Sequence, residues 1–231
     1  LLADRARALL EGMAALAEDG HFDPASFQGC LQIAANPLQR DLLLPRLLAR
    51  LRREAPQATL RVTPSDVPTA DMLRDAQCQL AISPRLPDAG DIVHRRLFED
   101  RYAVFFDPAC RDAPADLAQW SQAEHVTVTH GPQRPLAVDS WLAAHGYARR
   151  VAVEVTDFSG VRAFVQGTSR LATLPSLLRV GALAGLAHAD LPFATDPMPI
   201  YALWHQRHQA DPMHRWLRAA LEAVAAEAMP A

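Results

Sequence analysis

The stretch from Leu31 to Asp66 constrains the fold more than any other part of the chain. It reads LQIAANPLQRDLLLPRLLARLRREAPQATLRVTPSD, which is a short apolar run, then Asn36-Pro37, a leucine-rich segment and a second extended run. Asn is a favoured helix N-cap and Pro a favoured first helical residue, so the pattern predicts a strand, a helix over 38–54 and another strand. Such a succession is typical of parallel α/β units with right-handed crossovers.

The alternation continues along the chain in two rounds, followed by a late return strand. Strands are predicted at 29–36, 58–64, 79–83, 92–106 with an interruption, 125–130, 151–156, 170–174 and 200–204, and further helices at 69–76, 114–121, 134–145, 159–166, 176–184 and 212–228. The two rounds predict two Rossmann-like α/β lobes of mixed, mostly parallel sheet around a ligand cleft. We expect lobe I to comprise 27–102 plus 199–231, and lobe II to comprise 103–198.

Residues 1–18 carry a heptad-like apolar stripe of Leu2, Ala6, Leu9, Met13 and Leu16. The stripe predicts either a helix packed on its own domain or a linker helix that forms a dimer. The hinge-like composition that follows favours the linker, so 1–26 is expected to be a linker and dimerisation segment. Because the chain begins with Leu rather than Met, we expect it to be part of a longer protein.

Composition excludes several classes of protein. With 50% hydrophobic and 21% charged residues the chain is typical of a folded globular protein, and its net charge of −3 argues against this piece binding nucleic acid by itself. No apolar run is long enough to span a membrane. Cys30, Cys78 and Cys110 are odd in number and widely spaced, which fits neither a disulfide framework nor a CxxC metal site and indicates a reducing cytoplasm.

Motifs of catalytic or cofactor-binding sites are absent from the sequence. It contains no GxSxG, P-loop, GxGxxG, HExxH or EF-hand pattern. His205, His208 and His214 could be read as a metal site, but surface or hydrogen-bonded histidines are the preferred interpretation. The sequence therefore predicts a protein that is not an enzyme and has no cofactor and no metal.

Several motifs in order resemble the effector-binding domain of LysR-type transcriptional regulators, over nearly the whole chain. They are LLPRLLARLRREAP at 43–56, QLAISP at 79–84, LFEDRYAVFF at 97–106, AEHVTVTHG at 123–131, VDSWLAAHGYARRVAVEVTDF at 138–158, LATLPSLL at 171–178 and YALWHQRHQADPMHRWLR at 201–218. The subgroup related to nodulation and aromatic-degradation regulators is the most similar. One departure is that Ala76–Gln79 stands where the family usually has Gly-x-x-Asp.

The resemblance implies a type 2 periplasmic-binding-protein fold and a bacterial, cytoplasmic transcription regulator without membrane contact. Its partners would be a small effector, acidic or aromatic, and other copies of itself in a homo-dimer or tetramer. DNA would be contacted through a winged helix-turn-helix domain that is absent from this chain. The effector would act through its different affinities for two arrangements of the protein.

The candidate site residues follow strand ends, where open α/β sheets bind ligands. The N–H groups of Leu38, Gln39 and Arg40 are predicted to be free at the start of the leucine-rich helix, beside Asn36 and Pro37. The other candidates are Ser65, Asp66, Ser83 and Pro84 on lobe I, His130, Phe158, Ser159, Gly160 and Leu174 on lobe II, and His205 with Arg207 near the return strand. Arg207 is the candidate for pairing an effector carboxylate, with a surface Arg as the alternative. Asn36 could be a plain helix cap, the four candidates Ser65, Asp66, Ser83 and Pro84 could equally be turn formers, and Phe158 could be a core residue.

Two other classes of protein remain open at this stage. A periplasmic solute-binding protein shares the two-lobe architecture, although the heptad-like first helix and the lone cysteines count against it. An α/β transferase of the porphobilinogen-deaminase type uses related lobes, but the sequence carries no recognisable catalytic set.

Overall fold

The computed structural model describes residues 22–65, 67–129 and 136–229. The predicted helix over 1–18 lies outside these residues. The strands are β1 Cys30–Ala35, β2 Thr59–Pro64, β3 Leu80–Ser83, β4 Ile92–Asp100, β5 Tyr102–Phe106, β6 Glu124–Val128, β7 Arg150–Val155, β8 Leu171–Pro175, β9 Ala187–Asp190 and β10 Met198–His205. The helices are α1 Pro37–Glu54, α2 Ala70–Arg74, α3 Leu117–Gln122, α4 Ala137–Ala144, α5 Phe158–Val165 and α6 Pro212–Ala228.

The strands form two five-stranded sheets with matching topology. The first has the order β2-β1-β3-β10-β4 and the second β7-β6-β8-β5-β9. In each sheet three strands are mutually parallel, and the fourth and fifth strands pair antiparallel. Both predicted rounds of strand and helix are confirmed, and so is the mixed, mostly parallel character of the sheets, because four of the five strands in each sheet run in the same direction and one runs against them.

Helix α1 shows why the leucine-rich segment folds as predicted. Its start is fixed by Asn36, whose side chain caps the helix, and by Pro37 at the first helical position. Leucines at helical spacing are buried against the first sheet and α6 (Leu38, Leu42, Leu43, Leu44, Leu47 and Leu51). Complete burial of a leucine side chain contributes about 1.5–3 kcal/mol, so this face holds the helix against the sheet.

Two segments differ from the prediction. Residues 176–184 were expected to be an α-helix, but only a 3-10 helix forms, at Ser176–Val180, and it ends at Gly181. The short strand β9 was not predicted, and it lies at the edge of the second sheet against β5. Both are short segments whose conformation depends on contacts with other parts of the chain.

The chain passes between the two sheets at Arg101 and again over residues 191–197. At the first crossing the carboxylate of Asp100 is buried and accepts hydrogen bonds from the Ser176 hydroxyl at 2.6 Å and the Leu177 N–H at 3.3 Å. Burial raises the pKa of this carboxyl group, while these hydrogen bonds oppose the change. A side chain of the first sheet thus holds the 3-10 helix that directly follows β8 of the second sheet.

Candidate ligand-binding site

A cavity of about 220 Å³ lies where strand ends of both sheets meet, and we call it the cleft cavity. Its walls come from the start of α1, the turn after β3, the start of β5, the end of β8, the start of α5 and the segment leading into β10. The lining residues are Asn36, Leu38, Gln39, Pro84, Arg85, Tyr102, Leu136, Phe158, Pro175, Asp196, Pro197, Met198 and Pro199. A ligand held there would touch elements that belong to both sheets.

A second cavity of about 270 Å³ adjoins the first, and we call it the helix-end cavity. It lies between the first three turns of α1, the start of α5 and the 3-10 helix, and Pro37 and Ser159 are among its lining residues. Leu38 and Phe158 line both cavities and are themselves buried. These two apolar side chains therefore form the wall between the cavities.

The start of α1 offers fewer free N–H groups than the sequence indicates. The Asn36 Oδ1 accepts the N–H of Gln39 at 3.2 Å, and the Asn36 carbonyl accepts the N–H of Arg40 at 2.9 Å. Within the described residues only the Leu38 N–H keeps no partner among the three. The prediction of three free donors is wrong because the cap itself and the first helical hydrogen bond use two of them.

The start of α5 is capped by a carboxylate. Asp157 Oδ1 accepts the N–H of Ser159 at 2.8 Å, the N–H of Gly160 at 3.1 Å and the Ser159 hydroxyl. These bonds, led by the Ser159 hydroxyl, lower the pKa of Asp157, so the cap is negatively charged at neutral pH. Gly160 serves the cap and lines neither cavity, whereas Ser159 reaches the helix-end cavity.

Arg85 is a cleft residue that sequence reasoning missed. It directly follows Pro84, and the turn is fixed by the Arg85 N–H, which donates to the Ser83 hydroxyl oxygen at 2.9 Å. Its guanidinium group is partly buried, and no carboxylate of the described residues lies within ion-pair distance of it. The other arginine near the start of α1, Arg40, is already paired with Asp41 at 2.7 Å.

Several predicted residues lie close to the cleft cavity without lining it. Ser65 follows β2 and Ser83 is the last residue of β3, and both are buried, while Leu174 is buried in the core beside the lining residue Pro175. Asp66 and His130 lie outside the described residues. A cavity does lie at several of the strand ends named in the prediction, and side-chain direction decides which residues face it.

His205 and Arg207 are at the opposite end of the first sheet from the cleft. Tyr201 pairs with Ser83 and Leu203 with Ala81, so β10 runs away from the cleft as it approaches His205. The Arg207 guanidinium donates to the Leu73 and Arg74 carbonyls at 2.6 and 2.7 Å, at the end of α2. The structure therefore does not bring either side chain to the candidate site.

The histidines near the C-terminal helix are held by hydrogen bonds rather than grouped around an empty centre. The His214 Nε2–H donates to the Gln79 carbonyl at 2.9 Å, and His214 Nδ1 accepts from Arg218 at 2.7 Å. Burial lowers the pKa of His214 to about 4. Over the ranges that the structure describes, no group of three or more His, Cys, Asp or Glu residues is placed to hold a metal ion. Nor does any helix in those ranges have the length and apolarity needed to cross a membrane.

Comparisons with known proteins agree with this geometry. The chain is 28% identical over 206 residues to nodulation protein D 1 of Sinorhizobium fredii, a match that covers 85% of this chain and 63% of that protein. The probable transcriptional regulator PA0477 of Pseudomonas aeruginosa has a similar structure, with a TM-score of 0.79, 28% identity, and coverage of 96% of this chain and 74% of that one. The regulatory domain of the transcriptional activator MexT, from the same organism, superposes with a TM-score of 0.75 at 24% identity, covering 87% of this chain and all of that one.

The family model of the LysR substrate binding domain matches residues 24–226. The match takes in every strand and helix that lines the cleft cavity, and it extends from before β1 into α6. The chain spans somewhat less than two thirds of the length of the first curated relatives. It belongs to the LysR substrate binding domain family.

Proposed function

We propose that the chain is the effector-sensing part of a bacterial LysR-type transcription regulator and that a small acid binds in the cleft cavity. The observation that carries the proposal is the position of this cavity between strand ends of both sheets, with Arg85 among its lining residues and without an ion-pair partner in the part of the chain that the structure describes. Family membership and the regulators among the similar structures support this function over a solute-binding protein or a transferase. The chain itself would perform no catalysis.

The chemistry of the cavity favours a compact acid with an apolar body. Arg85 offers a fork of donors that suits a carboxylate, and the Leu38 N–H adds a donor at the positive end of α1. Phe158, Pro175 and Met198 provide the apolar surface against which a ring or a short aliphatic body could pack. Because the ligand would touch both halves, it would favour the arrangement in which both sets of contacts are made.

We expect Arg85→Ala to weaken binding of benzoate, used as a single-ring acid probe, by about 1.5–3 kcal/mol, the value of hydrogen bonds to a charged group. Isothermal titration calorimetry on the 231-residue chain would measure this. Arg53→Ala is the matched control, since Arg53 is exposed on α1 and does not line the cleft cavity. Benzamide, the uncharged analogue, should bind the unchanged protein more weakly than benzoate. Equal affinity of Arg85→Ala for benzoate, or failure of benzoate and related single-ring acids to bind at all, would contradict the proposal.

The proposal includes the boundaries of the two lobes. Lobe I would comprise 27–102 plus 199–231, and lobe II would comprise 103–198. The distribution of strands supports them, because the first sheet uses residues from 30–100 and 198–205 and the second uses 102–190. Residues 1–26 would link lobe I to the DNA-binding helix-turn-helix domain of the longer regulator, which would act in the cytoplasm.

Self-association into a homo-dimer or tetramer is the second part of the proposal. The outermost strands β2 and β7 each expose a large apolar side chain, Val62 and Val151, and the helices α1 and α5 expose Leu48 and Phe164. A strand edge bordered by exposed apolar residues is a surface on which another strand or helix can pack. In sedimentation, the unchanged chain should be a dimer, and the variant with both Val62→Asp and Val151→Asp should be a monomer. A monomeric unchanged chain at micromolar concentration would contradict self-association.

A further inference from the structure

Gln39 carries a buried polar group that the fold leaves unused. The residue is only 1% exposed, it lines the cleft cavity, and its Oε1 atom has no hydrogen-bond partner among the residues that the structure describes. Buried amide oxygens are normally paired, so each exception calls for a physical explanation. Leaving one such group without a hydrogen bond lowers the ratio of folded to unfolded chain by about 5-fold to 150-fold.

The local sequence makes this unpaired oxygen more informative. Asn36 and Gln39 have the spacing of a capping box, in which the first side chain binds the N–H of the fourth residue and the fourth side chain returns to the N–H of the first. Only the first half forms here, through Asn36 Oδ1 and the Gln39 N–H at 3.2 Å. Gln39 lines the cleft cavity, and among the described residues its side chain makes no return hydrogen bond that would close the helix start.

We infer that the Gln39 amide determines specificity in the cleft cavity by recognising a hydroxyl group of the effector. The inference rests on the proposed function, since it takes an acid bound near Arg85 as its starting point. A hydroxyl group can donate to Oε1 and accept from Nε2, whereas a carboxylate has no proton to donate. The effector class that satisfies Arg85 and Gln39 together is a compact hydroxy acid.

Three other polar residues of the wall, Asn36, Arg85 and Asp196, do not offer the same recognition. The Asn36 side-chain oxygen is already occupied by the helix cap, and Arg85 can only donate. Asp196 is an exposed carboxylate on the segment leading into β10, where water can solvate it. Of these four residues, Gln39 is therefore the one whose buried acceptor gains most from a ligand hydroxyl group.

The test compares benzoate with 3-hydroxybenzoate and 4-hydroxybenzoate by calorimetry on the unchanged chain and on Gln39→Leu. Leucine has nearly the same size but carries no polar atom, so it removes the unpaired amide without opening a cavity. We expect at least one hydroxybenzoate to bind the unchanged chain about tenfold or more tightly than benzoate. In Gln39→Leu this preference should fall below about twofold while benzoate affinity stays within about threefold. Gln57→Leu, at an exposed turn position, is the control and should keep the preference.

Unfolding of the ligand-free chain in urea gives an independent measurement. Gln39→Leu should unfold at the same or a higher urea concentration than the unchanged chain, because an unsatisfied polar group is removed. A clearly lower midpoint would assign the amide to holding the helix start and overturn the inference.

The binding results separate this inference from the function on which it rests. If benzoate binds through Arg85 but neither hydroxyl position improves affinity, or the preference persists in Gln39→Leu, the inference about Gln39 is overturned and the acid site stands. If none of the three acids binds, the acid site is overturned and the inference with it.

Discussion

The two helix starts that meet at the cleft solve the same problem with different chemistry. Asn36 caps α1 with a neutral amide that accepts one N–H, whereas Asp157 caps α5 with a charged carboxylate that accepts two N–H groups and a hydroxyl group. The first start retains unused polar groups beside the cavity, whereas at the second start three donors are bound by one carboxylate oxygen, Asp157 Oδ1. Polar recognition should therefore come mainly from the first half of the molecule, while Phe158 and Pro175 of the second half supply apolar contact.

The largest expected effect on stability would come from lowering the pH, which acts on a buried histidine in each half of the molecule. His125 in the second sheet and His214 on α6 are buried, and burial lowers the pKa of each to about 4. Because the unfolded chain takes up these protons near pH 6.5, stability is fully present above that pH and is lost as pH falls from about 6.5 to about 4. Each histidine should contribute on the order of 3 kcal/mol to this loss.

Urea unfolding at pH 7, 5.5 and 4 would measure the acid effect. His214→Gln and His125→Gln should each reduce the pH dependence, whereas His188→Gln, at an exposed position of β9, should leave it unchanged. Equal stability of the unchanged chain at pH 7 and pH 4 would show that neither histidine is held neutral by burial.

Removing the charged cap is expected to have the next largest effect. Asp157→Ala should lower the free energy of unfolding by about 1–2 kcal/mol, the upper part of the range for N-caps, because three hydrogen bonds to one side chain are lost. Asp157→Asn keeps an acceptor oxygen and should lose much less. Asp88→Ala, at an exposed loop position, is the control in the same urea titration.

Changes at the neutral cap should have the smallest effect on stability. Asn36→Ala should lower the free energy of unfolding by about 1 kcal/mol, and Asn36→Ser by a few tenths, because serine is also a good N-cap. If Asn36→Ala lowers the free energy of unfolding more than Asp157→Ala does in the same assay, the contrast between a cap with one hydrogen bond and a cap with three is incorrect.

Much of the fold could be predicted because its signals are local. The Asn36-Pro37 start of α1, its buried leucines and the order of strands and helices follow from capping and periodicity within short windows. The strand β9 has four residues, and the 3-10 helix Ser176–Val180 is anchored by Asp100 from a distant part of the chain. Neither segment carries enough local pattern to be recognised.

The candidate site was predicted less well than the fold, because the direction of each strand within its sheet was not known. The ends of β1, β3 and β8 were correctly taken as cavity edges, but β10 runs antiparallel to β3, so its final residue His205 lies at the far edge. Chain direction within a sheet cannot be read from the composition of a single strand. Arg85 and the side chain of Gln39 were missed as parts of the site because the partners of a guanidinium or an amide group are known only when the neighbouring elements are in place.

The first crossing between the sheets limits how the molecule could respond to a ligand. One residue, Arg101, separates β4 from β5, and two residue steps span on the order of 7 Å at most. We expect any rotation of one sheet relative to the other to turn about this crossing, where the Asp100 carboxylate also contacts Ser176. A small rotation on closing the cleft would displace atoms in proportion to their distance from Arg101, so the edges β2 and β7 would move most and could transmit the signal to a neighbouring subunit.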